Sequence, residues 1–442
     1  MSPISSDMYQ KNTKLEILRQ KFFNDVRNSL GRGFSSPYTK ALMCKLLYNL
    51  FHTKSYYIDP GFLKILTKQK TYALVLAIYS FLSESGETTF DELYEKISHH
   101  LKNLALCGIP LPPSIGESTN QEKSVLEYSP SPHQVKRALK ILCNAGLIIK
   151  SENIYKIADK KPDYVEDMER RLWASYEEYV KKFEMLVKNS EGVKVQLFMG
   201  PPGAGKGTIG EDESGDEVIR VEMGSTFRNL AKTWKNLERL DMIINRSKEE
   251  GYFEDVKTLL DDEINNLLRT VKEIGVKGES PEEVKKHLQN VIKNMNKGLL
   301  ASHGDFDFVK SVTRVVVNKV KPSEIDSCKS IIIDGYPRDK KQVEDLPLLS
   351  EKLQEIYGVP LTMYGINVIP GLNHKELIKR MENRKRDNET EEVIMRRLNT
   401  YASDTLTALE SMVDSRAPLI IIVNNEKEKI PFLASFLHDL FS

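Results

Sequence analysis

The N-terminal part of the chain alternates between apolar helical patterns and polar breaks. Apolar residues recur at helical spacing in residues 40–51, in residues 71–85 and again from Phe90, where the sequence reads FDELYEKISHHLKNLAL. This spacing places apolar side chains on one face of a helix. A proline-rich stretch, GIPLPPSIGESTN, then interrupts the pattern and predicts a loop.

A further helix is predicted to begin at Ser131. The sequence Ser-Pro-His-Gln supplies a serine N-cap, a proline at the first helical position and Gln134 at the third, which together form a capping box. Val135, Leu139 and Leu142 recur on one side of this helix. Ala138 and Ile141 flank this apolar face.

The segment after this helix, LIIKSENIYKI, predicts two short strands around a polar tip. Three helices followed by a hairpin resemble a winged helix-turn-helix domain over residues 65–160. The resemblance lies in the order of the elements, since no short motif is specific to it. Bound to DNA, such a domain would place its third helix in the major groove, and protein contacts are the alternative use. The polar residues that this helix would offer to DNA are His133, Gln134, Lys136, Arg137 and Lys140.

Residues 163–189 predict a long charged helix with an apolar side. We interpret it as the connection between an N-terminal half and a C-terminal half. The residues expected on its apolar side are Tyr164, Met168, Leu172, Tyr176 and Tyr179.

The strongest chemical signal follows this helix. The apolar strand VKVQLFM runs into GPPGAGKGT, residues 200–208, which we call the phosphate loop. Glycines let successive backbone N–H groups turn toward phosphate oxygens, Lys206 would reach the outer phosphates, and the Thr208 hydroxyl would lie beside Mg²⁺. A plain glycine-rich turn is the alternative, but it would not need a lysine directly before Gly-Thr.

Two segments together carry a resemblance to a known family. The phosphate loop resembles that of adenylate kinases and related nucleoside monophosphate kinases, and IIIDGYPRDKKQ, from Ile331, resembles their second hallmark. The resemblance covers about residues 193–442. It implies an α/β fold in which a parallel-sheet P-loop kinase domain carries helices on both faces, preceded by the α-helical winged-helix-like domain.

The resemblance also implies roles for individual residues on the donor side. Lys206 and the loop amides would hold the phosphates of ATP, and Asp334 would orient Mg²⁺ through its water shell with Thr208 on the same ion. The residues expected to bind ATP are Gly203, Ala204, Gly205, Lys206, Gly207, Thr208 and Arg380.

On the acceptor side, the resemblance assigns Arg338 and Arg228 to the phosphate of AMP. Gln342 would read the edge of the adenine, and Gly224 lies in register with the family motif around Arg228. Because uridylate and cytidylate kinases of this family usually differ at the glutamine position, AMP is favoured as the acceptor.

The predicted lid lies in LIKRMENRKRDNETEEVIMRRLNTY. By resemblance, Arg380 would stack on the donor adenine, while Arg384, Arg386 and Arg397 would surround the phosphates as catalytic residues with Lys206 and Arg338. A solvated basic helix paired with the acidic residues 389–392 is the alternative. We favour catalysis because the phosphate loop and DGYPR are both present.

The sequence departs from the family pattern in several places. The segment after Thr208, IGEDESGDEV, is acidic and contains glycine where the family has a firm helix. Met223 and Ser225 stand where the family motif has threonine and aspartate, and the lid is short. About residues 229–297 form an insertion, in which a capping box at Ser280 opens a helix, and we expect a helical hairpin there.

Composition sets the remaining limits. The 442 residues carry 64 Lys plus Arg against 63 Asp plus Glu, a net charge of +1, so no overall field favours nucleic acid or anionic lipid. The four cysteines are widely spaced, and no apolar run is long enough to span a membrane. We expect free thiols and a cytoplasmic protein with no membrane partner.

The predicted organisation has four parts: a helical region over residues 1–64, the winged-helix-like domain over 65–160, a linker over 161–190 and the kinase-like domain over 191–442. The implied activity is that of a phosphotransferase converting ATP and AMP to two ADP, with Mg²⁺ as cofactor. A kinase for another monophosphate, such as UMP or CMP, remains open. So does a nucleotide-sensing regulator, in which a DNA- or protein-binding module is coupled to a weakly active kinase-like domain.

Overall fold

The apolar strands of the chain pair into one six-stranded sheet. Across the sheet the order is β1 (Tyr56–Ile58), β9 (Leu419–Val423), β8 (Leu361–Ile369), β5 (Val193–Met199), β7 (Ser330–Asp334) and β6 (Val218–Glu222). The strands from β9 to β6 are parallel, and β1 is antiparallel to β9. Every residue of β5, β7 and β9 is buried, so both faces of the sheet are covered. The α/β expectation with a largely parallel sheet is confirmed.

These elements belong to a computed structural model that describes most of the chain. The residues it describes are 4–30, 36–63, 69–109, 129–215, 217–250, 253–297, 299–371, 374–383, 390–414, 418–425 and 429–442. The predicted lid arginines Arg384 and Arg386 lie outside the described residues.

The helices of the N-terminal half come before strand β5 in the sequence. They are α1 (Ile4–Leu30), α2 (Pro37–Thr53), α3 (Lys70–Ser85), α4 (Phe90–Leu106), α5 (Pro132–Asn144) and α6 (Asp163–Lys188). The helices of the C-terminal half are α7 (Lys206–Glu213), α8 (Met223–Glu250), α9 (Phe253–Ile274), α10 (Pro281–Asn296), α11 (Phe308–Lys319), α12 (Lys340–Glu344), α13 (Leu346–Tyr357), α14 (His374–Glu382), α15 (Glu391–Thr400), α16 (Leu406–Asp414) and α17 (Ile430–Phe441). A 3₁₀ turn spans Pro322–Ser327, and a π-helical turn spans Tyr401–Thr405.

Residues 70–157 contain the predicted three helices and hairpin. The hairpin strands are β3 (Ile148–Ser151) and β4 (Ile154–Ile157), and a strand that the sequence did not predict, β2 (Glu87–Thr89), pairs antiparallel with β4. The capping box at Ser131 is confirmed: the Gln134 amide donates to Ser131 Oγ at 3.3 Å, and the Ser131 amide donates to Gln134 Oε1 at 2.7 Å. Assignment to the winged-helix class stays a prediction.

The first 64 residues contribute more than helices. Tyr56–Ile58 forms the edge strand β1 of the large sheet, a strand that the expectation of a helical region omitted because three residues are too short to show a period. The long helix α6 packs along α1, and its Tyr176 hydroxyl accepts a hydrogen bond from the Ile58 amide at 3.1 Å. Tyr164 was expected on the apolar side of α6, but its side chain is 59% exposed, so the buried side of this helix begins after it.

The insertion forms three helices and not the expected hairpin. Helices α8 and α9 pack against each other, and α10 packs against both. The predicted capping box at Ser280 is confirmed, since its hydroxyl accepts from the Glu283 amide while the Glu283 carboxylate accepts from the Ser280 amide. The sequence indicated only the last of these helices, because its capping box was the strongest local signal in the segment.

The expectation of free thiols is confirmed. The four cysteines are free. Among the described residues, no helix combines the length and apolar character that crossing a membrane requires.

We predict that replacing Tyr176 with phenylalanine destabilises the protein by roughly 1–2 kcal/mol, because the outer edge of β1 then loses its hydrogen-bond partner. The Tyr176 hydroxyl both accepts from the Ile58 amide and donates to the Ile58 carbonyl at 3.3 Å. Urea unfolding measures the change. Tyr164→Phe, on the same helix but exposed, is the matched control and should leave the midpoint in place. Equal midpoints for both variants would mean that the edge strand does not depend on this contact.

Candidate nucleotide-binding site

The candidate site lies where the central strands β5 and β7 end. The two strands are parallel neighbours, with Phe198 opposite Asp334, and the Gly335 amide donates to the Phe198 carbonyl at 3.0 Å. The phosphate loop follows β5, and the DGYPR segment, residues 334–338, begins at Asp334, the last residue of β7. Because the carboxyl ends of parallel strands meet at one edge of a sheet, the two predicted phosphate-binding segments lie side by side.

Glycines allow the phosphate loop to pass close to its neighbours. Gly200 has φ of 132°, and a Cβ there would lie 2.1 Å from the Val368 carbonyl oxygen of β8. Gly205 has φ of 95°, and a Cβ there would lie 2.2 Å from Asn424 Nδ2. The positive φ and the lack of space for a Cβ each exclude a larger residue, so the fold requires glycine at these two positions.

Lys206 is the first residue of α7 and folds back over the loop. Its Nζ donates to the carbonyl oxygens of Gly200 at 2.7 Å and Pro201 at 2.9 Å. The side chain of Thr208, two residues further on, is exposed. The lysine therefore lies across the same loop whose backbone would receive phosphate oxygens, and its partners are carbonyls that a phosphate could replace.

The predicted adenine-stacking residue, Arg380, lies next to the phosphate loop. Its Nη1 donates to the Asn424 carbonyl at 3.0 Å, and Asn424 Nδ2 donates to the Ala204 carbonyl at 2.7 Å. Helix α14, which carries Arg380, also touches the loop, since a Cβ on Gly203 would lie 3.0 Å from the Leu377 carbonyl oxygen. Asn424 thus joins α14 to the phosphate loop, a role that no motif in the sequence signalled.

Arg338, which the sequence predicts to bind the acceptor phosphate, is partly buried. Its Nε donates to the Gly335 carbonyl at 2.8 Å. Burial lowers the pKa of the Arg338 guanidinium. The negative charges of Asp334 and Glu222 oppose this shift, and the positive charge of Arg397 adds to it. Arg397, from α15, therefore acts electrostatically on Arg338, and its place among the catalytic cations stays a prediction.

Arg228 and Gly224 lie at the start of α8. Arg228 Nη2 forms an exposed ion pair with Glu222 Oε1 at 3.0 Å. A Cβ on Gly224 would come within 3.2 Å of both partners, so this glycine leaves room for the pair. Glu222 also acts to raise the pKa of Arg338, so the same carboxylate influences both arginines that are predicted to bind the acceptor phosphate.

Gln342 has its amide engaged within the protein. It is 1% exposed, its Oε1 accepts from the Arg338 amide at 2.8 Å, and its Nε2 donates to Asp339 Oδ2 at 3.0 Å. His303 Nε2 lies 3.0 Å from both oxygens of Asp339 and fixes that carboxylate. Reading an adenine would require this amide to turn away from Asp339, so its predicted role stays a prediction. Sequence reasoning did not single out Asp339 or His303.

The predicted metal position is occupied by an ion pair. Asp334 Oδ2 accepts from Arg220 Nη2 at 2.7 Å, and both side chains are largely buried. No group of three or more His, Cys, Asp or Glu side chains suited to a metal ion occurs in the part of the chain that the structure describes. The residues do not fit the predicted magnesium role, because the carboxylate that would orient the ion is already paired and Thr208 is left as one exposed hydroxyl.

The acidic segment after Thr208 carries less charge near the loop than its sequence suggests. Glu213 is 3% exposed and accepts a hydrogen bond from Gln196 Nε2, and burial raises its pKa to about 8. Glu211 pairs with Arg220 Nη1 at 3.1 Å. The segment has five acidic residues, and of these Glu213 is largely protonated near pH 7 and Glu211 has a cation as its partner, so these two weaken the electrostatic objection to phosphate binding.

Comparison with known proteins found several relatives of one kind. Adenylate kinase isoenzyme 1 of Sus scrofa is 34% identical over 83 residues, which are 19% of this chain and 39% of that protein. An adenylate kinase of Micrococcus luteus is 26% identical over 222 residues, 49% of this chain and 77% of that protein. An adenylate kinase of Mycobacteroides abscessus is 30% identical over 104 residues, 24% of this chain and 54% of that protein. The chain matches no protein-family model.

The chain thus has adenylate kinase homologues at low identity and partial coverage, and it spans less than half the length of the pig protein. Together with the largely parallel sheet, this weak homology suggests a nucleoside monophosphate kinase at the level of the family.

We predict that Glu213→Gln removes a pH-dependent loss of stability. The folded chain holds the Glu213 proton up to pH of about 8, whereas the unfolded chain releases it above about 4.5. The folded state therefore binds more protons between these values, and stability falls as pH rises through them. The glutamine variant should be more stable than the wild type at pH 8.5 by on the order of 2 kcal/mol, with a smaller difference at pH 5.5.

Urea unfolding at the two pH values measures this effect. Glu282→Gln, on the exposed first turn of α10, is the control and should follow the wild-type profile. If Glu213→Gln also follows the wild-type profile, Glu213 is ionised in the folded protein and the charge argument above fails.

Proposed function

We propose that the protein is a nucleoside monophosphate kinase of adenylate kinase type, which transfers a phosphoryl group from ATP to AMP and yields two ADP. The observation that carries the proposal is the neighbouring placement of the phosphate loop and residues 334–338 at the ends of adjacent parallel strands. Transfer between two nucleotides requires two phosphate-binding segments close together, and the pairing of β5 with β7, which brings the phosphate loop beside residues 334–338, supports this proposal.

Each side of the cleft supplies positive charge to one nucleotide. The loop amides and Lys206 would hold the donor phosphates after the lysine leaves its two carbonyl partners. Arg338 and Arg228 would hold the acceptor phosphate, and Arg397 would face the phosphoryl group in transfer. Fixed cations around that group stabilise the charge that it carries in the transition state, and little other help from the protein is needed.

A regulator that senses nucleotide is a second candidate, and one contact favours it. Gly108, just after α4 of the winged-helix-like domain, lies against the phosphate loop: a Cβ there would be 3.3 Å from Pro201 Cδ and 2.9 Å from the Tyr401 hydroxyl. A DNA or protein partner of that domain could therefore influence the loop. His133, Lys136, Arg137 and Lys140 on α5 are exposed and available to such a partner.

We predict that the wild-type protein forms ADP from ATP and AMP in a coupled assay and that Lys206→Ala and Arg338→Ala each lower kcat/KM by about 100-fold or more, because each removes a cation from a phosphate. Arg170→Ala, an exposed change on α6, is the control and should leave the rate unchanged. ATP binding without any ADP formation would contradict the kinase proposal and favour the regulator.

The acceptor preference has its own test. We predict that AMP is preferred over CMP, UMP and GMP and that Gln342→Leu lowers the ratio of kcat/KM for AMP to that for CMP by about tenfold, because the adenine edge then loses a hydrogen-bond partner. The ratio is used because the substitution also removes the contact with the Arg338 amide. Gln354→Leu, another buried glutamine, is the control. An unchanged ratio would show that Gln342 serves structure alone.

A further inference from the structure

Arg220 is a buried cation beside the phosphate loop that no motif assigned. It lies on β6, and its side chain is 15% exposed. Its two terminal nitrogens bind different carboxylates: Nη2 binds Asp334 at 2.7 Å, and Nη1 binds Glu211 at 3.1 Å. One guanidinium therefore joins the end of the acceptor-side strand to the helix that follows the phosphate loop.

Two glycines make room for this guanidinium against the start of α7. A Cβ on Gly207 would lie 3.1 Å from Arg220 Nη2 and 3.7 Å from Asp334 Oδ2. A Cβ on Gly210 would lie 3.2 Å from both Cδ and Nε of Arg220. The charge thus lies against the first turn of the helix, where backbone amides of a phosphate loop meet their anion.

The two ion pairs of Arg220 leave one N–H donor of its guanidinium without a hydrogen-bond acceptor among the described residues. Arg220 Nε is buried and has no hydrogen-bond acceptor within the described structure. Buried donors are almost always paired in folded proteins, so an unpaired one calls for a reason beyond stability. A side chain that changes partners when a ligand arrives is such a reason, since arginine matches phosphate oxygens as well as it matches carboxylates.

We propose that Arg220 is a ligand of the donor phosphates and supplies the positive charge at the place where the sequence predicted a magnesium ion. The proposal rests on the donor site of the proposed function. Its consequence is that ATP binds this protein almost equally well with and without a divalent cation. Nη1 exchanges the exposed Glu211 for a phosphate oxygen while Nη2 keeps its contact with Asp334, so the phosphates gain a positive partner and Asp334 stays neutralised.

The test compares ATP binding in excess EDTA with binding in excess MgCl₂, by calorimetry with a β,γ-imido analogue of ATP that cannot transfer its phosphoryl group. For the wild type we expect dissociation constants within about threefold of each other. Arg220→Met should raise the dissociation constant in EDTA by about tenfold or more, the effect of losing a charge-assisted hydrogen bond to an anion. Mg²⁺ should restore part of this loss, because Asp334 is then released.

Two further variants separate a lost ligand from a damaged fold. Arg220→Met with Asp334→Asn removes both charges and avoids leaving a lone buried carboxylate, so it keeps the test valid if the single variant unfolds. It should show the same weakened binding in EDTA. Arg246→Met, which breaks an exposed ion pair with Glu250 on α8, should bind ATP like the wild type under both conditions.

The ATP-binding experiment tests the role of Arg220 separately from the kinase assay, because each can fail without the other. A wild-type dissociation constant that differs by more than threefold between EDTA and MgCl₂, or an unchanged EDTA value in both Arg220 variants, overturns the role of Arg220. Wild-type protein that binds no analogue in either condition overturns both proposals. The expected binding results without ADP formation would leave Arg220 as a phosphate ligand and refute the kinase.

Discussion

The pairing of β5 with β7 is the constraint on which the rest of the site depends. Because Phe198 lies opposite Asp334, the phosphate loop and residues 334–338 leave the sheet at the same edge and at the same level. A slip of the register by one residue would reverse the side-chain directions of the buried strands and separate the two segments. The apolar residues of both strands therefore build the core and also fix the relative position of the phosphate loop and residues 334–338.

Around this edge, the charged side chains already have partners within the protein. Asp334 and Glu211 share the guanidinium of Arg220, and Glu213 is held neutral by burial. Lys206 rests on backbone carbonyls. A phosphate can take the place of the exposed Glu211 on Arg220, or of the two carbonyls on Lys206, so the site keeps its capacity to bind an anion.

The features that the sequence predicted are those encoded by neighbouring residues. The phosphate loop, the strand before DGYPR and the capping boxes at Ser131 and Ser280 depend on spacing within a few positions, and the structure contains all of them. The missed features depend on distant pairing. The strands β1 and β2 have three residues each and gain their definition only from β9 and β4.

The same reason explains what was missed in the site. Arg220 contacts Asp334, which lies 114 positions further along the sequence. Asp339 accepts a hydrogen bond from Gln342 and also contacts His303, which lies 36 positions before it. Motif spacing gives no information about such contacts. What the motifs did supply is the list of candidate phosphate-binding residues, and the sheet topology then brings the two segments that carry them together.

The central claim is that two nucleotides share one cleft with their phosphates facing each other. Its most direct test is calorimetric titration with a molecule that joins two adenosines through five phosphates. Because the second half binds at a high effective concentration once the first is held, we expect one molecule per chain and an affinity at least about 100-fold tighter than that of ATP. Binding of two molecules per chain, or an affinity no tighter than that of ATP, would contradict a shared cleft.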